Sequence, residues 1–183
     1  MIGRLVVGIT GASGVIYGIR LLEALQRTQV ETHLVLSKAA RVTIAQETEY
    51  KVSQVEALAH TSYSPDDIGA AIASGSFATR GMAVIPCSMK SLSGIATSYS
   101  ADLMARAADV TLKEGRPLVL VVRETPLHLG HLQLMAQAAE AGAVIMPPLP
   151  AFYTHPRTIQ DIVDQTVGRV LARLGIESDL LKV

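Results

Sequence analysis

The stretch LVVGITGASGVIYGIRLLEA, residues 5–24, decides the fold. An apolar run rich in β-branched residues, Leu5-Val6-Val7-Gly8-Ile9-Thr10, meets a turn of small residues, Gly11-Ala12-Ser13-Gly14, without a gap. Apolar residues then recur at helical spacing at Val15, Ile19, Leu22 and Leu25. The pattern reads as strand, tight glycine turn, helix. A helix that starts at such a turn offers unpaired N–H groups and the positive end of its dipole. With no Cβ at Gly11 and Gly14, a phosphate can approach the backbone closely, and Ser13 can add a hydroxyl donor or cap the helix. The same glycines also serve a strand and helix that need only pack tightly, so the turn alone leaves both uses open.

Spacing narrows the ligand. Glycines at positions 8, 11, 14 and 18 fit neither G-x-G-x-x-G nor G-x-x-x-x-G-K-[ST]. A dinucleotide site also asks for an acid at the end of the second strand. Here the second strand, 32–36, ends in Ser37-Lys38, while Glu31 lies at its start. A hydroxyl and a lysine suit an anionic ligand other than NAD.

Composition bounds the rest. A chain of 183 residues fits a single domain, 1–183, with a sizeable core. Sixteen basic and sixteen acidic residues cancel, which argues against nucleic acid or an anionic membrane as partner. Charged residues make up 17% and apolar residues 49%, against roughly 25% charged in an average domain. So much apolar surface predicts either large contacts between subunits or a sheet covered on both faces. Cys87 is the sole cysteine, which excludes an internal disulfide and fits the reducing cytoplasm. The sequence enters its first strand directly, so no signal peptide is expected, and no apolar run reaches the ~18 residues of a spanning helix.

Taken in order, the chain predicts helices over 13–27, 38–48, 90–96, 102–114, 129–141 and 158–174, and a short helix or loop over 52–60. Strands are expected at 5–10, 32–36, 82–86, 117–122 and 143–146, with 63–76 mostly loop and 147–156 extended and proline-rich. The fully apolar PLVLVV at 117–122 predicts a central parallel strand. Strands alternating with helices indicate an α/β, doubly wound parallel sheet in three α/β/α layers. Such sheets bind ligands beyond the carboxyl ends of their strands. Those ends read Gly11-Ala12-Ser13, Ser37-Lys38, Ser88-Met89-Lys90-Ser91 and Arg123-Glu124, each small, hydroxylic or basic. Four such ends on one edge predict a phosphorylated ligand.

With these ends in hand, the chain resembles the UbiX-type flavin prenyltransferases over nearly its whole length. The resemblance rests on TGASG (10–14), LSKAA (36–40), QETE (46–49), IPCSMKSLSGIA (85–96), RAADVTLKEGRPLVLVVRETPL (106–127) and FYTHP (152–156). It implies a Rossmann-like flavoprotein that joins a dimethylallyl group, delivered as its monophosphate or pyrophosphate, to N5 and C6 of reduced FMN. The product, prenylated FMN, is the cofactor of UbiD-type decarboxylases. The family needs no metal and forms homododecamers.

Residue by residue, the resemblance places FMN on Gly11, Ala12, Ser13, Ser37, Ser88, Met89, Lys90, Ser91 and Arg123, whose fork suits a phosphate bidentately. It places the prenyl phosphate on Tyr153, Arg169, Arg106 and Lys113. Glu47 matches a carboxylate that removes a proton, through Ser13 or through the released phosphate, and Glu124 a second acid beside the prenyl phosphate. The chemistry fits these types: a departing phosphate wants fixed positive charge around it, and ring closure must lose a proton. Read without the resemblance, Glu47, Arg106, Lys113 and Arg169 pass for solvated surface charges. His128 and His131 could face one metal but lack an obvious third ligand, and His155 reads as a turn residue. Two other readings keep the FMN: a cysteine-type decarboxylase of the same fold, against which the lack of Asn in Pro86-Cys87-Ser88-Met89-Lys90 counts, and a non-catalytic partner of an aromatic acid decarboxylase. The chain departs from some relatives in having no tryptophan and in Met89-Lys90 where others have Thr-Gly. Its end, Leu180-Leu181-Lys182-Val183, is expected to lack part of a tail that carries one such tryptophan.

Overall fold

A computed structural model describes residues 3–181; Lys182 and Val183, on which part of the tail expectation rests, lie outside the described residues. Six parallel strands form one sheet in the order β3-β2-β1-β4-β5-β6. They are β1 (Arg4–Ile9), β2 (Glu31–Leu36), β3 (Thr61–Tyr63), β4 (Met82–Cys87), β5 (Leu118–Val122) and β6 (Val144–Ile145). The helices between them are α1 (Val15–Leu25), α2 (Lys38–Glu47), α3 (Val52–Glu56), α4 (Met89–Ala96), α5 (Leu103–Lys113), α6 (Leu129–Glu140) and α7 (Ile159–Arg173).

The apolar strands are apolar because both faces of the sheet are covered. Leu5, Val7 and Ile9 of β1 pack with Ile19 and Leu22 of α1 and with Val163, Val167 and Leu171 of α7. Val6 of β1 points the other way, into a second cluster with Leu92 of α4, Leu103 and Met104 of α5 and Ala138 of α6. The alternation of side chains along a strand makes this division. The sheet therefore accounts for much of the apolar composition, as one of the two sequence readings had it.

The structure refines several boundaries. Helix α1 begins at Val15, not Ser13, because Gly14 takes a left-handed conformation with φ +99°, which favours glycine. Ser13 therefore does not cap the helix. Pro86 lies within β4, which runs on to Cys87. The β3 strand was not foreseen: three half-exposed residues pair only with β2 at the sheet's edge, too few to show a period of two. The 117–122 strand is interior, flanked by β4 and β6. The 147–156 stretch contains a 3-10 turn at Phe152–Thr154. Among the described residues no helix is long and apolar enough to cross a membrane.

The strand order reverses between β1 and β4. From β1 the chain builds outward to β2 and β3, then returns to place β4 on the other side and continues to β5 and β6. The crevice above this reversal is where open α/β sheets hold their ligands.

Candidate functional site

The four strand ends do converge. A cleft of ≈ 510 Å3 opens over the β1/β4 reversal, within the roughly 300–1,000 Å3 range of small-molecule and cofactor sites. Gly11, Ala12, Ser37, Ser88, Met89, Lys90, Ser91 and Arg123 all line it, as does Glu124. Ser13 stands exposed at the turn just beyond the lining.

Each wall is set by a local feature of the sequence. Gly11 lets α2 lie against the turn; a Cβ there would sit 2.4 Å from the Cβ of Ala39. Ser37 caps α2, its Oγ accepting from the Ala40 N–H at 3.0 Å. Ser88 caps α4 in the same way, accepting from the Ser91 N–H at 3.3 Å and donating to the Ser91 Oγ at 3.2 Å. Asp102, also in the lining, caps α5 by accepting from the Ala105 N–H at 2.9 Å. Three helix N-termini thus face one cleft; those of α2 and α4, capped by neutral hydroxyls, are biased toward negative ligands, while the Asp102 carboxylate offsets the third.

Charge in the lining is mixed. Lys38, Lys90 and Arg123 face Asp66, Asp102 and Glu124. Lys38 pairs with Asp66 across the mouth at 2.9 Å, both largely exposed, a contact of small energetic weight. Arg123 is anchored by its backbone N–H, which donates to the Cys87 carbonyl at 3.0 Å. Its guanidinium is exposed and pairs with no side chain among the described residues. A free fork beside two hydroxyl-capped helix N-termini, in a cleft of this volume, fits a phosphorylated flavin such as FMN. Glu124 accepts from the Thr125 N–H at 3.0 Å.

Glu47 ends α2 and reaches back to the turn, where its Oε2 accepts from the Gly14 N–H at 2.8 Å. One helical turn earlier, Thr43 donates to the Gly11 carbonyl at 3.0 Å. The α2 face therefore brings Glu47 beside Ser13. Glu47 is exposed rather than simply solvated, since it occupies a free donor at the N-terminus of α1.

The remaining predicted residues are not gathered by one chain. Tyr153 is 69% exposed on the 3-10 turn, and Arg169 is exposed on α7, the far layer from α5. Arg106 donates to the Ala73 carbonyl and to Asp109, both at 3.2 Å. Lys113 pairs with Glu114 at the end of α5, about 16 Å along the helix from the cleft at Asp102. Asp66 and Asp102 were not singled out from sequence. Asp102 was visible only as a helix start, and Asp66 sits in a loop with no signal of its own.

Other sequence landmarks resolve into local roles. Cys87 is fully buried, and burial pushes its thiol up to about 12. His128 caps α6 by accepting from the His131 N–H at 3.4 Å, and the two rings stack at 3.6 Å. Among the described residues no group of three or more His, Cys, Asp or Glu side chains is placed to hold a metal. His155 closes the 3-10 turn with φ +52°.

Comparison with known proteins finds relatives along nearly the whole chain. A family model described as Flavoprotein matches residues 2–171. The flavin prenyltransferase UbiX of Escherichia coli K12 is 60% identical over 174 residues, 94% of this chain and 92% of the relative. The crystal structure of AnUbiX (PadA1) in complex with FMN and dimethylallyl pyrophosphate superposes with a TM-score of 0.98 at 49% identity, covering 100% of this chain and 97% of that one. A dodecameric FMN-dependent UbiX-like decarboxylase from E. coli O157:H7 gives 0.96 at 52% identity, with 98% of each chain covered.

Proposed function

The chain belongs to the Flavoprotein family and, within it, to the UbiX flavin prenyltransferases, and from that premise we propose how its residues divide the work. It is a flavin prenyltransferase that joins a dimethylallyl group to FMN. Bound and reduced, FMN supplies the nucleophile, so the protein's own task is to hold, orient and shield. The observation that carries the assignment is the convergence of eight of the nine expected flavin contacts on one cleft at the strand-order reversal.

In that cleft, Gly11 lets a ligand approach the turn backbone without meeting a side chain, and Ala12 adds only a methyl group. Ser37 and Ser88 present capped helix starts, and Arg123 supplies a bidentate guanidinium. Met89 and Lys90, the first two residues of α4, close that side of the cleft. Glu47, held at the Gly14 N–H beside Ser13, is the acceptor for the proton that ring closure releases, relayed by the Ser13 hydroxyl. Glu124 lies in the lining close to Arg123 and faces the leaving phosphate.

Tyr153, Arg169, Arg106 and Lys113 supply the positive and hydroxyl surface for that phosphate from neighbouring copies of the chain. This reading is supported by the exposure of Tyr153 and Arg169, by the distance of Lys113 from the cleft, and by the dodecameric assembly of a 52% identical relative. Fixed cations around the departing phosphate stabilise charge where it develops. The whole 1–183 chain acts as one FMN-binding domain of a homododecamer. It delivers prenylated FMN to a UbiD-type decarboxylase and works in the cytoplasm, where the lone reduced Cys87 is at home.

Two substitutions test the division. Arg123→Ala is expected to weaken FMN binding, read by fluorescence titration. Arg169→Ala is expected to leave FMN binding intact and raise KM for dimethylallyl monophosphate. The reverse pattern would refute the assignment of the two arginines.

A further inference from the structure

We propose that Thr10 is a positioning residue for the flavin site: its hydroxyl fixes the separation between the glycine turn and the β4–α4 loop. The inference rests on the reading that these two segments hold FMN, and it assigns a role to a side chain that does not line the cleft. Thr10 is 1% exposed. Its Oγ1 donates to the Pro86 carbonyl at 2.7 Å and accepts from the Ser88 N–H at 3.0 Å and the Ala12 N–H at 3.4 Å. A hydroxyl has one donor and two acceptor sites, so its capacity is fully used, and all of it is spent on backbone of the two segments.

The need for such a brace follows from the sheet. The β1/β4 ladder registers only Val6, Val7 and Gly8 against Met82, Ala83 and Val84, so it stops short of both segments. On the other side of β4, the pairing with β5 shifts register between Val84 and Cys87. Pairing with β5 resumes at Cys87 and Val122, so it is on the β1 side that the backbone carrying Ser88 emerges beyond the ladder. One backbone bond, from the Thr10 N–H to the Pro86 carbonyl at 3.3 Å, continues the contact, and the Thr10 hydroxyl supplies the rest. Valine, which keeps the shape, would leave the Ser88 and Ala12 N–H groups without this partner and free the loop to drift from the turn. If Thr10 only satisfied buried backbone, its loss would appear as lowered stability alone.

The test uses the full chain in its native assembly, with FMN affinity and Tm measured for wild type, Thr10→Val, Thr10→Ser and Thr10→Cys. Thr111→Val is the control: it removes an equally buried hydroxyl that bonds only within α5, to the Ala107 carbonyl. Thr10→Val is expected to raise the FMN Kd roughly tenfold or more, the effect of losing two hydrogen bonds. Thr111→Val should lower Tm comparably without changing Kd, and Thr10→Ser should restore Kd. Cysteine, a weaker hydrogen-bonding partner in the same space, should rank between serine and valine. An unchanged Kd in Thr10→Val, or an equal rise in Thr111→Val, would overturn the inference. If Thr10→Val does not fold, equal affinities for Thr10→Ser and Thr10→Cys would overturn it as well. A wild type that binds no FMN would overturn the underlying reading of the cleft and the inference with it.

Discussion

Glu47 shows how far a single side chain can be read and where the reading stops. From sequence it is one acid among several near a helix end; its role came only from the resemblance. The fold adds the physical reason it sits where it does, an otherwise free N–H at Gly14. Glutamine keeps an oxygen for that N–H but cannot take a proton. Glu47→Gln should therefore bind FMN normally and form product roughly 10²–10⁴-fold more slowly, measured by single-turnover mass analysis; normal turnover would remove Glu47 from the mechanism. A second residue sets a pH limit on stability. His33 is 3% exposed, with Nδ1 against the Tyr63 hydroxyl at 2.9 Å and Nε2 against Glu31 at 3.1 Å. Burial lowers its pKa from the usual 6.5, opposed by the Glu31 charge. The folded state then binds a proton more weakly than the unfolded one, so stability is complete above that value and declines as pH falls below it. The urea midpoint should drop between pH 7.5 and 5.5, and drop less in His33→Gln.

Among the elements, those with a strong period were legible and those defined by their surroundings were not. The 5–10 and 117–122 runs and the helices after Ser37, Asp102 and Thr158 were readable because burial and capping left their marks in sequence. β3 was not, since its three residues are a strand only by pairing with β2. Helix α6 was foreseen over 129–141, but its setting was not. It is apolar, yet Ala138 is its only fully buried residue, while Leu129 and Leu132 are 68% and 48% exposed. An apolar helix left uncovered on one subunit is what a subunit contact supplies. Leu132→Glu should shift the assembly to smaller species in light scattering, with Tm lowered by the lost contacts; an unchanged mass would remove α6 from the interface.

At the scale of the whole molecule, a parallel sheet puts every strand's carboxyl end on one edge, so four short sequence signals could predict one cleft before any distance was known. Eight of the residues expected to contact a flavin, and Glu124, line that cleft. The residues expected to bind the prenyl phosphate are not legible in the same way. Tyr153, Arg169, Arg106 and Lys113 come from different layers and do not meet in one chain, so neither spacing nor strand position could connect them. In the proposed reading they are grouped only by the assembly. The most direct test of the account is chemical. Purified protein is incubated anaerobically with reduced FMN and dimethylallyl monophosphate, and the flavin is analysed by mass. The expected product is a flavin heavier by one five-carbon prenyl unit, formed without any added partner protein; a flavin of unchanged mass would refute prenyl transfer by this chain.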